Sequence, residues 1–455
     1  MSHLFVRWFS NSLIGLLVCA STFAATEDDR GELLPFTTQQ NGKLFSVAGS
    51  NTVGANLMQV LLTDYFSSKG ATDIQRIDSE VENEYRIQGR LGKRTMYVDV
   101  AAHGSSTGFQ SLMTDSADIA MSSRRIKSAE AESLQHIGDL KSFSGEHVIA
   151  IDGIAVIVNA QNPLNTLELK QIAKIFSGEI TNWAQLGGIP GEIQVYARDG
   201  NSGTWDTFKS LVLGKAYTLS PKSQRFESND ELSDTVARDK NGIGFVGLAS
   251  VREAKSISVS EQGTLPLPPK VASVATEDYA LSRRLFLYTP TTNTTPLIRE
   301  FISYIHSDNG QDVVNQVGFV SQNILKIAGD IEESAPEQYR QVVSKADRLS
   351  VNIRFAADSA SLDNKAQRDI LRLVDFMERP ENLNKDIILV GFGDAKQSEQ
   401  RAEVLSKMRA IAVKTALYKH KIGTTPVQGF GAFMPVADLR GGNRAKNQRV
   451  EIWVR

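Results

Sequence analysis

Apolar residues in this chain gather in short unbroken runs, and three of these runs hand over to a stripe of helical period. Leu44 to Ala48 enters Gly49-Ser50-Asn51-Thr52, after which Val53, Leu57, Val60 and Leu61 recur at i, i+4, i+7 and i+8. That change of period predicts a strand followed by an amphipathic helix. Tyr97 to Ala101 enters His103-Gly104-Ser105-Ser106-Thr107-Gly108 ahead of Phe109 and Leu112. Ile193 to Ala197 enters Arg198-Asp199-Gly200-Asn201-Ser202-Gly203-Thr204 ahead of Trp205, Phe208 and Leu211. Gly242-Ile243-Gly244-Phe245-Val246-Gly247 has the letters of a dinucleotide turn, but the charged stretch ELSDTVARDKN precedes it and its own apolar residues read as a buried strand.

A Ser, Thr or Asn at such a turn caps a helix, and one turn alone would mean no more than that. Three alike point further. Helix starts carry unpaired N–H groups and a partial positive charge, so several together, with hydroxyl donors, make a cage for a small anion. Arg198 would add one full charge and a bidentate fork suited to a tetrahedral oxyanion. Five or six charge-assisted bonds at roughly 1.5–3 kcal/mol each, less desolvation, reach the roughly −8 kcal/mol of a micromolar site.

The last 110 or so residues form a second patterned region. Val351 to Phe355 reads as a strand, and Ala366, Ile370, Leu373, Val374 and Met377 mark one helix face. Ile387 to Val390 is the next strand and Ala402, Leu405, Met408, Ala412 and Ala416 the expected inward face of the next helix. Val427 to Phe430 and Val450 to Val454 close a βαβαββ order. Between the two regions, 326–348 is polar, acidic and broken by Pro336, the composition of a linker.

At 455 residues the chain is too long for one core, and its two ends differ in charge. Residues 345–455 hold 20 Lys and Arg against 13 Asp and Glu, a balance of +7, whereas residues 25–344 stand at −10. Two domains with different partners are expected, and the overall charge of −2 argues against nucleic-acid binding. One cysteine and six scattered histidines give no metal-ligand spacing and no cofactor motif. Ser202 lies in G-x-S-G, not the G-x-S-x-G of a nucleophile elbow, so a binder is expected and not a hydrolase. Arg7, the apolar run Leu13 to Ala20 and Thr22-Phe23-Ala24 read as an export signal over 1–24. Val18 before Cys19 speaks against a lipid anchor there.

AGSNTVG at 48–54, HGSSTGFQSL at 103–112, ADIAMSSR at 117–124, FSGEITNW at 176–183, RDGNSGT at 198–204 and NGIGFVG at 241–247 resemble the phosphate-binding proteins of bacterial phosphate ABC importers. The resemblance runs from about 43 to 325 and implies a periplasmic binding protein of two α/β lobes that close on ligand in a cleft. It places phosphate on Ser50, Thr52, Ser105, Ser123, Arg198, Ser202, Gly203 and Thr204. Ser123 stands where some of the family have an aspartate that accepts the proton of hydrogen phosphate, which implies weaker rejection of sulfate.

F-x-x-D-S-A-x-L at 355–362, G-F-G-D at 391–394, L-S-K-M-R-A at 405–410, G-F-G-A-x-x-P-V-A at 429–437 and N-Q-R-V-E-I at 447–452 resemble the OmpA-like domain, a peptidoglycan-binding module of Gram-negative envelopes. By that resemblance Asp394 and Arg409 hold the amine and carboxylate of stem-peptide diaminopimelate, and 349–455 is the wall domain. The expectation for the whole is an α/β oxyanion receptor, phosphate first, lodged in the periplasm and tied to peptidoglycan near the outer membrane. An ABC permease or an envelope sensor would take its signal. The alternative is an envelope structural or assembly protein whose cleft binds no anion.

Overall fold

The computed structural model describes residues 41–455, apart from 201, 293, 328–330, 332–334, 356–358, 360, 395–397 and 440–443. The expected export signal, with Cys19, lies outside the described residues. No described helix is long and apolar enough to cross a membrane.

Ten strands run edge to edge through one mixed sheet, with Lys255–Ser256 added off that path. From one edge they are Thr72–Asp78, Glu84–Leu91, Arg94–Ala101, Gly42–Gly49, Ile119–Ser122, Ser282–Tyr288, Glu146–Val158, Gly242–Gly247, Gln194–Arg198 and Gln224–Phe226. Gly42–Gly49 pairs in parallel with Arg94–Ala101 and Ile119–Ser122. Glu146–Val158 and Ser282–Tyr288 are antiparallel to each other in the middle and join the two halves. Every residue of Glu146–Val158 is buried, as a strand covered on both faces must be.

Two cores make two lobes. The first gathers Phe45, Leu57, Leu61, Tyr65, Ile87, Val98, Ile119, Leu285, Phe301 and Val314; the second gathers Ile154, Ile172, Phe176, Trp183, Phe208, Phe245, Val274 and Tyr279. The predicted strand-turn-helix units lie in them, the helices starting at Asn51, Ser105 and Gly203. Gly242–Gly247 is the buried strand its apolar letters predicted.

The C-terminal sheet has the order Lys326–Ile327, Asp347–Arg354, Arg449–Val454, Ile387–Gly391, Gln428–Gly429. Asn364–Glu378 and Glu399–Lys419 cover one face through Ile370, Leu373, Val413 and Leu417. The other face carries a short helix from the stretch read as linker, Glu337–Val343, whose Tyr339 and Val343 pack with Ile388, Phe392, Phe430 and Trp453. Two apolar residues at i and i+4 suffice to seat a helix that composition alone would pass over.

The second helix corrects one expectation. Its inward residues are Ala402, Ser406, Arg409, Ala410, Val413 and Leu417, while Met408 is exposed. The face differs from the apolar pattern because two polar residues point inward: Ser406 accepts from Gly431 N at 3.0 Å, and Arg409 reaches into the turns at the sheet's end.

Candidate functional site

The three turns converge at the seam between the lobes, and only the third carries the side-chain cap expected of all three: the N-cap of the second helix is Gly104, and that of the first makes no side-chain bond. Gly104 N donates to Gly49 O at 2.7 Å, which sets the second turn against the first. Gly49 has φ +134, and a Cβ there would stand 2.1 Å from Met121 O, so only glycine allows this approach. Ser105 Oγ accepts from Ser123 N at 3.0 Å and lies 3.3 Å from Ser123 Oγ. The third turn comes from the other lobe and abuts the first: a Cβ on Gly203 would overlap Thr52 Oγ1.

Ser50 is buried and its hydroxyl makes no capping bond. Ser202 caps its helix, accepting from Trp205 N at 3.3 Å, and Thr204 is half-buried one residue into that helix. Arg198 is buried at the end of its strand, where Nε donates to Phe226 O at 3.1 Å and Nη2 donates to Glu227 O. Burial lowers its pKa, and neighbouring Asp199 and Glu227 raise it. Beside the second turn, Arg124 donates to Ser106 Oγ at 3.0 Å and pairs with Glu130 at 2.6 Å.

At the centre is a residue that the sequence motifs did not select. Arg283, on the strand Ser282–Tyr288, donates to Thr52 Oγ1 at 3.1 Å in one lobe and to Gly203 O at 3.0 Å in the other. Asp152 on the neighbouring strand pairs with it at 3.0 Å. Both side chains are buried; desolvation lowers the Arg283 pKa while Asp152 opposes that shift. The signal was present in LSRRLF, two arginines inside an otherwise apolar strand, where charge must find a buried partner.

In the C-terminal domain Asp394 and Arg409 stand on either side of Gln448. Gln448 Nε2 donates to Asp394 Oδ2 at 3.0 Å, and Arg409 Nη2 donates to Gln448 Oε1 at 2.9 Å. Arg409 also stacks near Phe355, 5.7 Å from the ring centroid, and Arg444 comes within 4.0 Å of Asp394. A neutral amide thus faces the acid with its donor and the base with its acceptor. No group of three or more His, Cys, Asp or Glu among the described residues is arranged to hold a metal.

Residues 45–309 match the family described as PBP superfamily domain. The chain belongs to the PBP superfamily. Residues 354–449 match the OmpA family, so this PBP chain carries a C-terminal OmpA domain. The PBP domain is similar to the phosphate-binding protein PstS of Borreliella burgdorferi, 25% identical over 288 residues that cover 62% of this chain and 91% of that protein. It is also similar to protein SphX of Synechococcus elongatus, 29% identical over 56% of this chain and 76% of that protein. Among solved structures, an ABC-type phosphate transport receptor from Vibrio cholerae aligns at 27% identity and a TM-score of 0.48, over 61% of this chain and 99% of that one.

Proposed function

We propose that this PBP protein is a periplasmic receptor for a tetrahedral oxyanion, phosphate first, which its OmpA domain ties non-covalently to peptidoglycan by way of Asp394 and Arg409. The observation that carries the reading is the meeting of Thr52 and Gly203 across the lobe seam, with the Ser105 and Ser123 turn beside them. Helix-start N–H groups and hydroxyls gathered at a closing seam bind an oxyanion and exclude water from it. Ser50, Thr52, Ser105, Ser123, Ser202, Gly203 and Thr204 are the proposed donors, and Arg198 and Arg283 supply positive charge at the seam. The PstS relatives support phosphate as the ligand. In this reading the protein works in a Gram-negative periplasm after removal of residues 1–24, binds and does not catalyse, and passes its anion or its closed state to an ABC permease or an envelope sensor.

One observation favours the second reading, an envelope structural protein. Arg198 spends two donors on the carbonyls of Phe226 and Glu227, and Thr52 Oγ1 already accepts from Arg283, so the seam is partly satisfied by protein groups. Thermal unfolding with and without phosphate separates the two. A receptor filled to about 100 times its Kd gains roughly 2.7 kcal/mol, and a structural protein gains nothing.

A further inference from the structure

The OmpA domain lies across the hinge of the receptor domain and stands on both lobes. Its footing on the second lobe is Asp278, which pairs with Arg348 at 2.8 Å and Arg354 at 3.0 Å and accepts from Asn352 at 2.9 Å. Its footing on the first lobe is His306, whose Nδ1 accepts from Arg372 at 3.0 Å; Arg372 also donates to Gln322 at 3.3 Å. Between these, the helix Asn364–Glu378 presses on the two strands that join the lobes. Arg368 donates to His147 Nδ1 at 3.0 Å, and Arg284 pairs with Asp363 at 2.6 Å and Glu277 at 2.8 Å. These partners are largely buried, so their geometry is held much more tightly than that of surface ion pairs.

The decisive feature is a sequence neighbourhood. Arg283 and Arg284 are adjacent on one strand, and successive strand residues face opposite ways. Arg283 ties Thr52 to Gly203 at the lobe seam, while Arg284 reaches the OmpA domain. A rotation of one lobe against the other must move this strand, and with it the footing of the docked domain.

We infer that the docked OmpA domain is a splint across the hinge that favours the closed seam, and that Arg284 is a positioning residue for anion binding, acting through Asp363 and never touching the anion. This rests on the oxyanion reading for its ligand but not for its mechanics. Two sites that bias one hinge are coupled reciprocally, typically by 5- to 150-fold in affinity.

The test uses the full chain. Arg284→Gln combined with Asp363→Asn removes both charges of the pair, and the asparagine can still cap its helix at Ala366 N, where Asp363 accepts at 2.8 Å. Arg372→Gln loosens the first-lobe footing separately. In calorimetric titration with inorganic phosphate, each should weaken binding about tenfold, within the usual coupling range, while Arg284→Lys stays near the parent. Hydrogen exchange without any anion gives the independent readout: amides of 50–54 and 203–208 should exchange faster in both weakened variants. Parent-like affinity together with parent-like exchange at the seam overturns the splint. If the parent binds no phosphate, the oxyanion reading fails and the exchange result still decides the mechanics.

Discussion

Asp394 and Arg409 are joined through the amide of Gln448, which gives its N–H to the acid and its oxygen to the base. A free amino-acid end offers the same pair of groups with full charges. The diaminopimelate amine would take the place of Gln448 Nε2 at Asp394, and its carboxylate the place of Oε1 at Arg409, replacing bonds with one charged partner by full ion pairs.

Sedimentation with purified peptidoglycan therefore ranks the variants. Asp394→Ala and Arg409→Ala should release the protein, because each leaves one ligand charge unpaired. Gln448→Ala removes an internal competitor whose bonds to charged groups are worth about 1.5–3 kcal/mol each and should strengthen retention severalfold or more. Release of Gln448→Ala to the same extent as Asp394→Ala would make the amide a support for the site and not a stand-in for the ligand.

Acid should weaken the fold at the domain junction. Burial and the adjacent Arg368 push the His147 pKa down to about 3, and His306 is held well below its ordinary value by burial, Arg368 and Arg372. Both Nδ1 atoms accept from arginine and must stay neutral. The unfolded chain takes up these protons near pH 6.5, so the stability is fully present above that pH and falls as pH drops below it, for His147 down to about 3, with His306 acting in the same direction. Melting temperature measured from pH 7.5 to 5 should decline, and His147→Gln should flatten the decline. An unchanged slope in that variant would contradict this account.

Arg283→Met strands Asp152 in the interior without its cation. Loss of one partner of a buried pair costs about 3–5 kcal/mol, to be read from denaturant unfolding of the full chain. Adding Asp152→Asn to Arg283→Met should recover much of the loss. A single variant as stable as the parent would show that Asp152 has another partner in solution.

Gly203→Ala tests the seam itself. The added methyl would collide with Thr52 Oγ1, so the lobes cannot meet as they do here. Phosphate affinity should fall tenfold or more, a cost of about 1.4 kcal/mol at least. Parent-like affinity would place the anion elsewhere.

Much of this was legible in the sequence because the relevant features are local. A change from an apolar run to a helical stripe marks a strand and a helix, and Gly49, Gly104 and Gly203 punctuate the turns where they should. Pattern does not carry what depends on long-range partners. Nothing near LSRRLF says that Arg283 meets Thr52, 231 positions away, or that Arg284 meets Asp363 in another domain. The inward face of Glu399–Lys419 departs from its apolar pattern for the same reason, since Ser406 and Arg409 are buried by their partners and not by their hydrophobicity. Stretch 326–348 concealed its helix because Tyr339 anchors it to Phe392, Phe430 and Trp453, residues that lie far along the chain.

Capture of an oxyanion at the lobe seam is read out by calorimetric titration of the full chain with phosphate and sulfate at one pH and salt. Phosphate should bind at a micromolar Kd or tighter, about −8 kcal/mol or better, with only a modest preference over sulfate because Ser123 carries no charge to repel the dianion. Absence of binding to either anion at millimolar concentration, in protein refolded to remove carried-over ligand, would contradict it.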